Sequence, residues 1–160
     1  MYKRQDQEYL TNIANKTIEL SKQLGATDTS VHVAHSISET VNLRNKKLDE
    51  SNRSDSFAIS ITTYIGKKKS TISSSNLSDD NVKTLIERCI GTTKITPDDE
   101  LNSLPEKNLM AKEIEDLNLF DGNHIPNDKK INILEEVENA AYEESKITVS
   151  YTHLRAHETL

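Results

Sequence analysis

Five histidines, one cysteine, a serine run and two acidic clusters are the residues from which a reactive site could be assembled. Metal chemistry needs three or more converging His, Cys, Asp or Glu donors. His32 and His35 stand three apart in a stretch whose apolar residues alternate. Side chains on a strand alternate between faces, so this pair points apart and reads as structural or surface. His153 and His157 are four apart, and His153-Leu154-Arg155-Ala156-His157-Glu158 has the outline of a metal-binding helix. Zinc hydrolases of that kind place Glu directly after the first His. Here Glu158 follows the second, and no third ligand stands nearby. Cys89 lies on an apolar helical stripe rather than at a helix N-terminus, where a thiolate would be favoured, so it reads as a buried structural thiol. Ser73-Ser74-Ser75 lacks the glycines of a nucleophile elbow and a paired base. Asp98-Asp99-Glu100 lacks the spaced ligands and glycine of a calcium loop. Lys67-Lys68-Lys69 is too short, and too poor in aromatics, for nucleic-acid binding; protecting a strand edge is reason enough for it. The expectation is therefore no catalytic, cofactor-binding or metal-ligating residue in this chain.

The elements that would position these side chains follow from periodicity. Leu10, Ile13, Ala14, Thr17, Ile18, Ser21 and Leu24 recur at helical steps, and Gly25 stands where a helix C′ glycine belongs. Val31, Val33, Ile37, Val41 and Leu43 then fall on odd positions, which predicts strands over 29–36 and 38–45. Asn45 to Glu50 reads as a polar turn leading to an edge, and Asn52 to Ser56 as a second polar connection. Phe57, Ile59, Ile61 and Ile65 alternate again, Gly66-Lys67-Lys68 marks a hairpin turn, and Ser70 to Ser74 returns beside them. Ser78 is a good N-cap for a second helix, with Val82, Leu85, Ile86, Cys89 and Ile90 inward and Gly91 as its end. Residues 92–127 hold all three prolines and read as a surface wrap pinned by Leu117, Leu119 and Phe120, with a short helix near 106–112. A third helix begins near Asp128, with Ile131, Leu134, Val137, Glu138 and Ala141 on one face and Ile133 and Ala140 widening it. Helix, about four strands, helix, loop, helix predicts an α+β fold. Its form is two-layer, with an about four-stranded, mainly antiparallel sheet and helices packed on one face.

Composition narrows the classes of function. In 160 residues, 20 Lys and Arg face 26 Asp and Glu, a net charge of −6. That gives no help to nucleic-acid binding. Apolar residues are only 34%, and mean hydropathy is −0.67. No run approaches the ~18–20 apolar residues of a membrane span, and the start, MYKRQDQEYL, has no apolar core of a secretory leader. A single cysteine fits a reducing cytoplasm.

Several segments, taken in order, resemble the N-terminal domain of the TldD/PmbA family. Gly25-Ala26-Thr27-Asp28-Thr29-Ser30-Val31 resembles the family's entry to its first strand. Val41-Asn42-Leu43-Arg44, running into Asn45-Lys46-Lys47-Leu48-Asp49, is similar to its next strand and turn, without the usual turn glycine. Ile61 to Ser70 and Ser73-Ser74-Ser75-Asn76-Leu77-Ser78 resemble the hairpin after it. Thr96-Pro97-Asp98-Asp99 matches a Pro-Asp spot but lacks its second proline. Asp116-Leu117-Asn118-Leu119-Phe120-Asp121 looks like a segment of the PmbA (TldE) branch, and Glu138-Asn139-Ala140-Ala141 resembles the family's third helix. The likeness runs from about 8 to 148. It divides the chain into a family-like domain, 1–148, and a tail, 149–160, that resembles translated adapter or vector sequence.

The resemblance implies a PmbA/TldE-like subunit of a soluble, cytoplasmic TldD/TldE metallopeptidase complex that degrades unfolded peptides and matures peptide precursors. It implies a TldD-like partner subunit and peptide substrates, with no nucleic acid and no membrane. In the family, the divalent metal, zinc by expectation, sits on a His-Glu-x-x-x-His motif of the partner's C-terminal region. No position here matches that motif, so no catalytic or metal residue is carried over. Two alternatives stand beside this: a free-standing, non-enzymatic protein-binding α+β module, and a shortened TldD-type, metal-bearing subunit.

Overall fold

The computed structural model describes residues 4–159 except 114, 116, 118–122 and 145–150. The elements run α1 (Arg4–Gln23), β1 (Asp28–Arg44), β2 (Lys47–Ile65), β3 (Lys68–Ser74), α2 (Asp79–Ile95), α3 (Asn127–Glu144) and β4 (Tyr151–Thr159), with one 3-10 turn at Lys107–Leu109. The sheet order is β3-β2-β1-β4. The α+β expectation holds: helices pack against an antiparallel sheet. The chain forms two compact units, both of which draw on the long strands β1 and β2. No helix among the described residues is long and apolar enough to cross a membrane.

The larger unit holds residues 2–35 and 57–119. Its core is Ala26, Ile59, Ile61, Val82, Leu85, Ile86 and Ile90, flanked by Ile13, Leu20, Val31, Val33, Ile65, Ile72 and Leu77. α1 is amphipathic, as its spacing predicts, and small buried residues let it pack closely. Thr17 and Ser21 return their hydroxyls to the carbonyls of Ile13 and Thr17, so neither of these two hydroxyls is stranded. Gly25 ends α1 at φ +102°, a conformation that disfavours a side chain. β2 pairs antiparallel with β3 from Ile59↔Ser74 to Ile65↔Lys68 around Gly66 and Lys67. α2 continues past Gly91 to Ile95, one turn beyond the predicted stop. Thr93 explains this: it is fully buried, and its hydroxyl meets those of Thr63 and Ser70 at 2.7 and 2.6 Å. Gly91 faces open space in a helical conformation. Gly91→Ala is therefore expected to raise stability by about 0.5–1 kcal/mol, read as a higher Tm.

The smaller unit holds residues 36–56 and 120–160. Here α3 covers Val41 and Leu43 with Leu134 and Ile131. β1 and β2 are joined by only Asn45 and Lys46, both at positive φ (51° and 59°), the backbone of a tight hairpin turn. The two predicted strands 29–36 and 38–45 are thus one strand, and the predicted polar segments 45–50 and 52–56 belong mostly to β2. Residues 47–58 of β2 are exposed throughout. A strand solvated on both faces shows no alternation, so it looks like a loop in sequence. The stretch 28–74 therefore holds three strands rather than four. The fourth is β4, paired antiparallel with β1 from Ser36↔Thr159 to Arg44↔Tyr151. It lies in the tail set apart on sequence. Strand edges pair through the main chain and accept almost any sequence.

Two further expectations are corrected. Val137, expected on the inward face of α3, is more than half exposed, and Ile133 is exposed beside it. Leu134 and Glu138 are buried as expected; Lys130, not expected there, is buried with them, and Ala140, expected to widen the face, is exposed. Leu117, expected to anchor the wrap, is also exposed; Leu119 and Phe120 lie outside the described residues.

Candidate functional site

Most of the sequence candidates are placed as structural parts. His32 is exposed on β1, whereas His35 is buried and stacks on Phe57 with ring centroids 4.2 Å apart, so the pair does not converge. His153 and His157 sit on β4, opposite Asn42 and Ser38. Four residues along a strand span ~13 Å, unlike one helical turn. The side chains of His157 and Glu158 lie outside the described residues. Among the described residues no three His, Cys, Asp or Glu side chains gather as metal ligands.

Cys89 is buried in α2. The Thr63 hydroxyl donates to its Sγ at 3.3 Å, and Ser70 Oγ lies 3.5 Å away. With Thr93 these groups form a small hydroxyl-thiol network that seats α2 on β2 and β3. Ser74 accepts from the Asn76 N–H and from Asn81 Nδ2, fixing the approach to α2. Cross-strand hydroxyl pairs, Thr62 with Thr71 and Ser73 with Ser60, line another part of the hairpin. At its tip, Lys67 Nζ donates to the Glu100 carbonyl, Lys68 Nζ donates to the Lys94 carbonyl, and the Asp99 N–H donates to the Lys67 carbonyl. The lysine and acidic runs thus tie the 94–102 segment to the β2–β3 turn.

A charge cluster joins residues that lie far apart along the chain, so no local spacing in the sequence reveals it. Glu39 on β1 receives Lys130 of α3 on Oε2 and Arg53 of β2 on Oε1. His124 Nδ1 stands 3.9 Å from Oε2. Lys130 is only 1% exposed. Its bond to Glu39, and then its charge and that of Arg53, hold the Glu39 carboxyl below its ordinary value against the opposing effect of burial. A cavity of about 350 Å³ opens beside Glu39, lined also by Ser51, Asn52, Arg53, His124 and Asn127. Two turns further along, α3 faces the hairpin turn: Glu138 is fully buried and accepts the Lys46 N–H at 2.9 Å. The Lys46 ammonium lies 5.4 Å from the centre of the Tyr142 ring. The sequence signal for this cluster was a lysine at an inward position of α3, four residues before Leu134.

Comparison with known proteins shows what this chain is similar to. Residues 31–92 match the profile described as PmbA/TldA metallopeptidase domain 1. The "Metalloprotease PmbA homolog" of Haemophilus influenzae is 29% identical over 141 residues, which cover 88% of this chain and 31% of that protein. The protein of the same name from Buchnera aphidicola is 28% identical over 156 residues, covering 95% and 34%. The chain thus spans about a third of the length of the curated relatives it matches. Among solved structures, a Bacteroides thetaiotaomicron protein named as a candidate modulator of DNA gyrase superposes with a TM-score of 0.85 at 19% identity, covering 99% of this chain and 36% of that one. TldE of Thermococcus kodakarensis gives 0.63 at 18% identity, covering 92% and 34%. At those identities the structures speak for the fold alone. With the domain match over residues 31–92 and the two PmbA homologs beside them, the chain is similar to the PmbA/TldD family.

Proposed function

We propose that this chain is the front domain of a PmbA/TldE-like subunit in a cytoplasmic TldD/TldE metallopeptidase complex. In this reading it shapes a peptide channel or the subunit contact and does not cut the bond itself. The observation that carries the proposal is the family match, which falls on the first domain of proteins three times as long. Metal-assisted hydrolysis needs an ion on at least three ligands with an activated water. The reading assigns that ion to a TldD-like partner. The domain's own contribution is a sheet whose edge strand, β3, is rich in Ser and Thr. Extended peptides bind such edges through main-chain hydrogen bonds.

The purified chain, assayed with added zinc against unfolded peptides, is expected to show no metal-dependent hydrolysis. Turnover abolished by a chelator would refute the division of labour. A tagged family-length protein carrying these residues is expected to co-purify with a metal-bearing TldD-like subunit, and its recovery as a lone polypeptide would refute the complex.

A further inference from the structure

We propose that residues 47–55 of β2 form a contact between two copies of this chain, pairing antiparallel with themselves across a two-fold axis at Ser51. The contact needs no TldD-like partner and stands apart from the peptide-holding role.

The open edge is the first argument. Among the described residues, β3 pairs only with Ile59–Ile65 of β2, so the preceding part of β2 has no strand on that side. That part is exposed throughout. A free edge presents unpaired N–H and C=O groups, and another strand satisfies them through its main chain. α3 does not obstruct this, because it covers Val41 and Leu43 of β1. In a sheet continued through two β2 edges, the two β1 strands stand three spacings apart, ~14 Å, and packed helices need only about 8–10 Å.

The charge order is the second argument, and it selects the partner. Alternate residues share a face of a strand, and here they read Lys47, Asp49, Ser51, Arg53, Asp55. Run against its own copy about Ser51, this series sets Lys47 opposite Asp55, Asp49 opposite Arg53 and Ser51 opposite itself. Two-fold symmetry makes both charged pairs occur twice. On the other face Glu50 stands opposite Asn52, whose amide already donates to it within the chain at 2.6 Å. Opposite charges directly across a strand pair support it, and like charges oppose it. Moving the axis breaks the match. An axis at Asn52 sets Asp49 against Asp55, one at Glu50 sets Lys47 against Arg53, and one at Asp49 or Arg53 sets that residue against itself. An axis at Ser54 matches only Arg53 with Asp55, because Lys47 and Asp49 then fall where β3 already pairs. Arg53 keeps its bond to Glu39 throughout. The register asks of it no free donor, only that the side chain opposite be acidic. Charges at an edge ordinarily deter an intruding strand; in this order they deter the wrong registers and admit a second copy.

Sedimentation of the purified chain over a concentration series tests the contact. Nine paired residues make a small interface, so a dimer dissociating at about 10–100 μM is expected. Lys47→Asp and Asp55→Lys each set like charges opposite one another and are expected to weaken it about tenfold. The two together restore opposite charges at unchanged net charge, and are expected to recover the native value within about twofold. Melting curves check that each variant is folded. Cross-linking reads the register. Ser51→Cys is expected to give a disulfide-linked dimer in oxidised glutathione, because the two copies meet at this position. Asp49→Cys is expected to give little, because its two copies stand about 13 Å apart along the strands, beyond a disulfide's reach. The native Cys89 is buried and takes no part. A chain still monomeric at ~500 μM would overturn the contact. So would a dimer indifferent to the single charge variants, a double variant no tighter than either single one, or cross-linking as fast at position 49 as at 51. Each of these results leaves the metallopeptidase reading to its own assays.

Discussion

Glu39→Ala is expected to destabilise the protein by about 3–5 kcal/mol, the cost of leaving a buried charge without its partner. Lys130 is 1% exposed and its ammonium meets Glu39. Without that carboxylate the ammonium must pull out of the unit or stay unpaired where little water reaches it, and either course loosens α3 from β1. A double variant, Glu39→Met with Lys130→Met, removes both charges and is expected to recover most of the loss. Urea unfolding measures both. If the double variant is as unstable as the single one, packing rather than charge is the cause.

The same pair sets a pH dependence. Glu39 has a folded pKa below its unfolded one. Its contribution is therefore complete above the ordinary glutamate range, about 4.3, and is lost as pH falls through the lowered folded value. Stability measured from pH 7 down to 3 should drop less steeply in the double variant than in the native chain.

The second large effect lies in the other unit. Ile61→Ala is expected to cost about 2–5 kcal/mol, because the side chain is wholly buried among the residues that bring α2 onto the sheet. Ile61→Val, which removes a single methylene, should cost about 0.5–1.5 kcal/mol. A thermal melt reads both, and a near-neutral Ile61→Ala would mean that this packing is not as described.

Where a residue's periodicity and its burial coincide, the sequence was a good guide. Val82, Leu85, Ile86, Cys89 and Ile90 form one stripe, and all are buried. Ile59 and Ile61 alternate with polar neighbours and fill the core. Periodicity misleads where burial is decided by something other than apolarity. β2 from Lys47 to Ala58 is strand without being core, so its residues carry no period. α3 buries Lys130 and Glu138 and exposes Ile133 and Val137, the reverse of what hydrophobicity alone predicts. Gly91 stopped the helix on propensity, but Thr93 had hydroxyl partners waiting one turn on. The Glu39 cluster was hidden for a different reason: its four groups come from positions 39, 53, 124 and 130, and no local spacing links them.

The Asn45–Lys46 turn has a kinetic consequence. It joins the two longest strands by the shortest of linkers, so closing the loop requires almost no search, and each later pair forms next to one already made. The β1–β2 hairpin is expected to zip outward from this point and to present a ready template to the elements that join it later. Yet neither turn residue is glycine, and a lysine at positive φ slows the first step. Lys46→Gly should therefore speed refolding more than it slows unfolding, a signature of early nucleation that stopped-flow mixing would reveal.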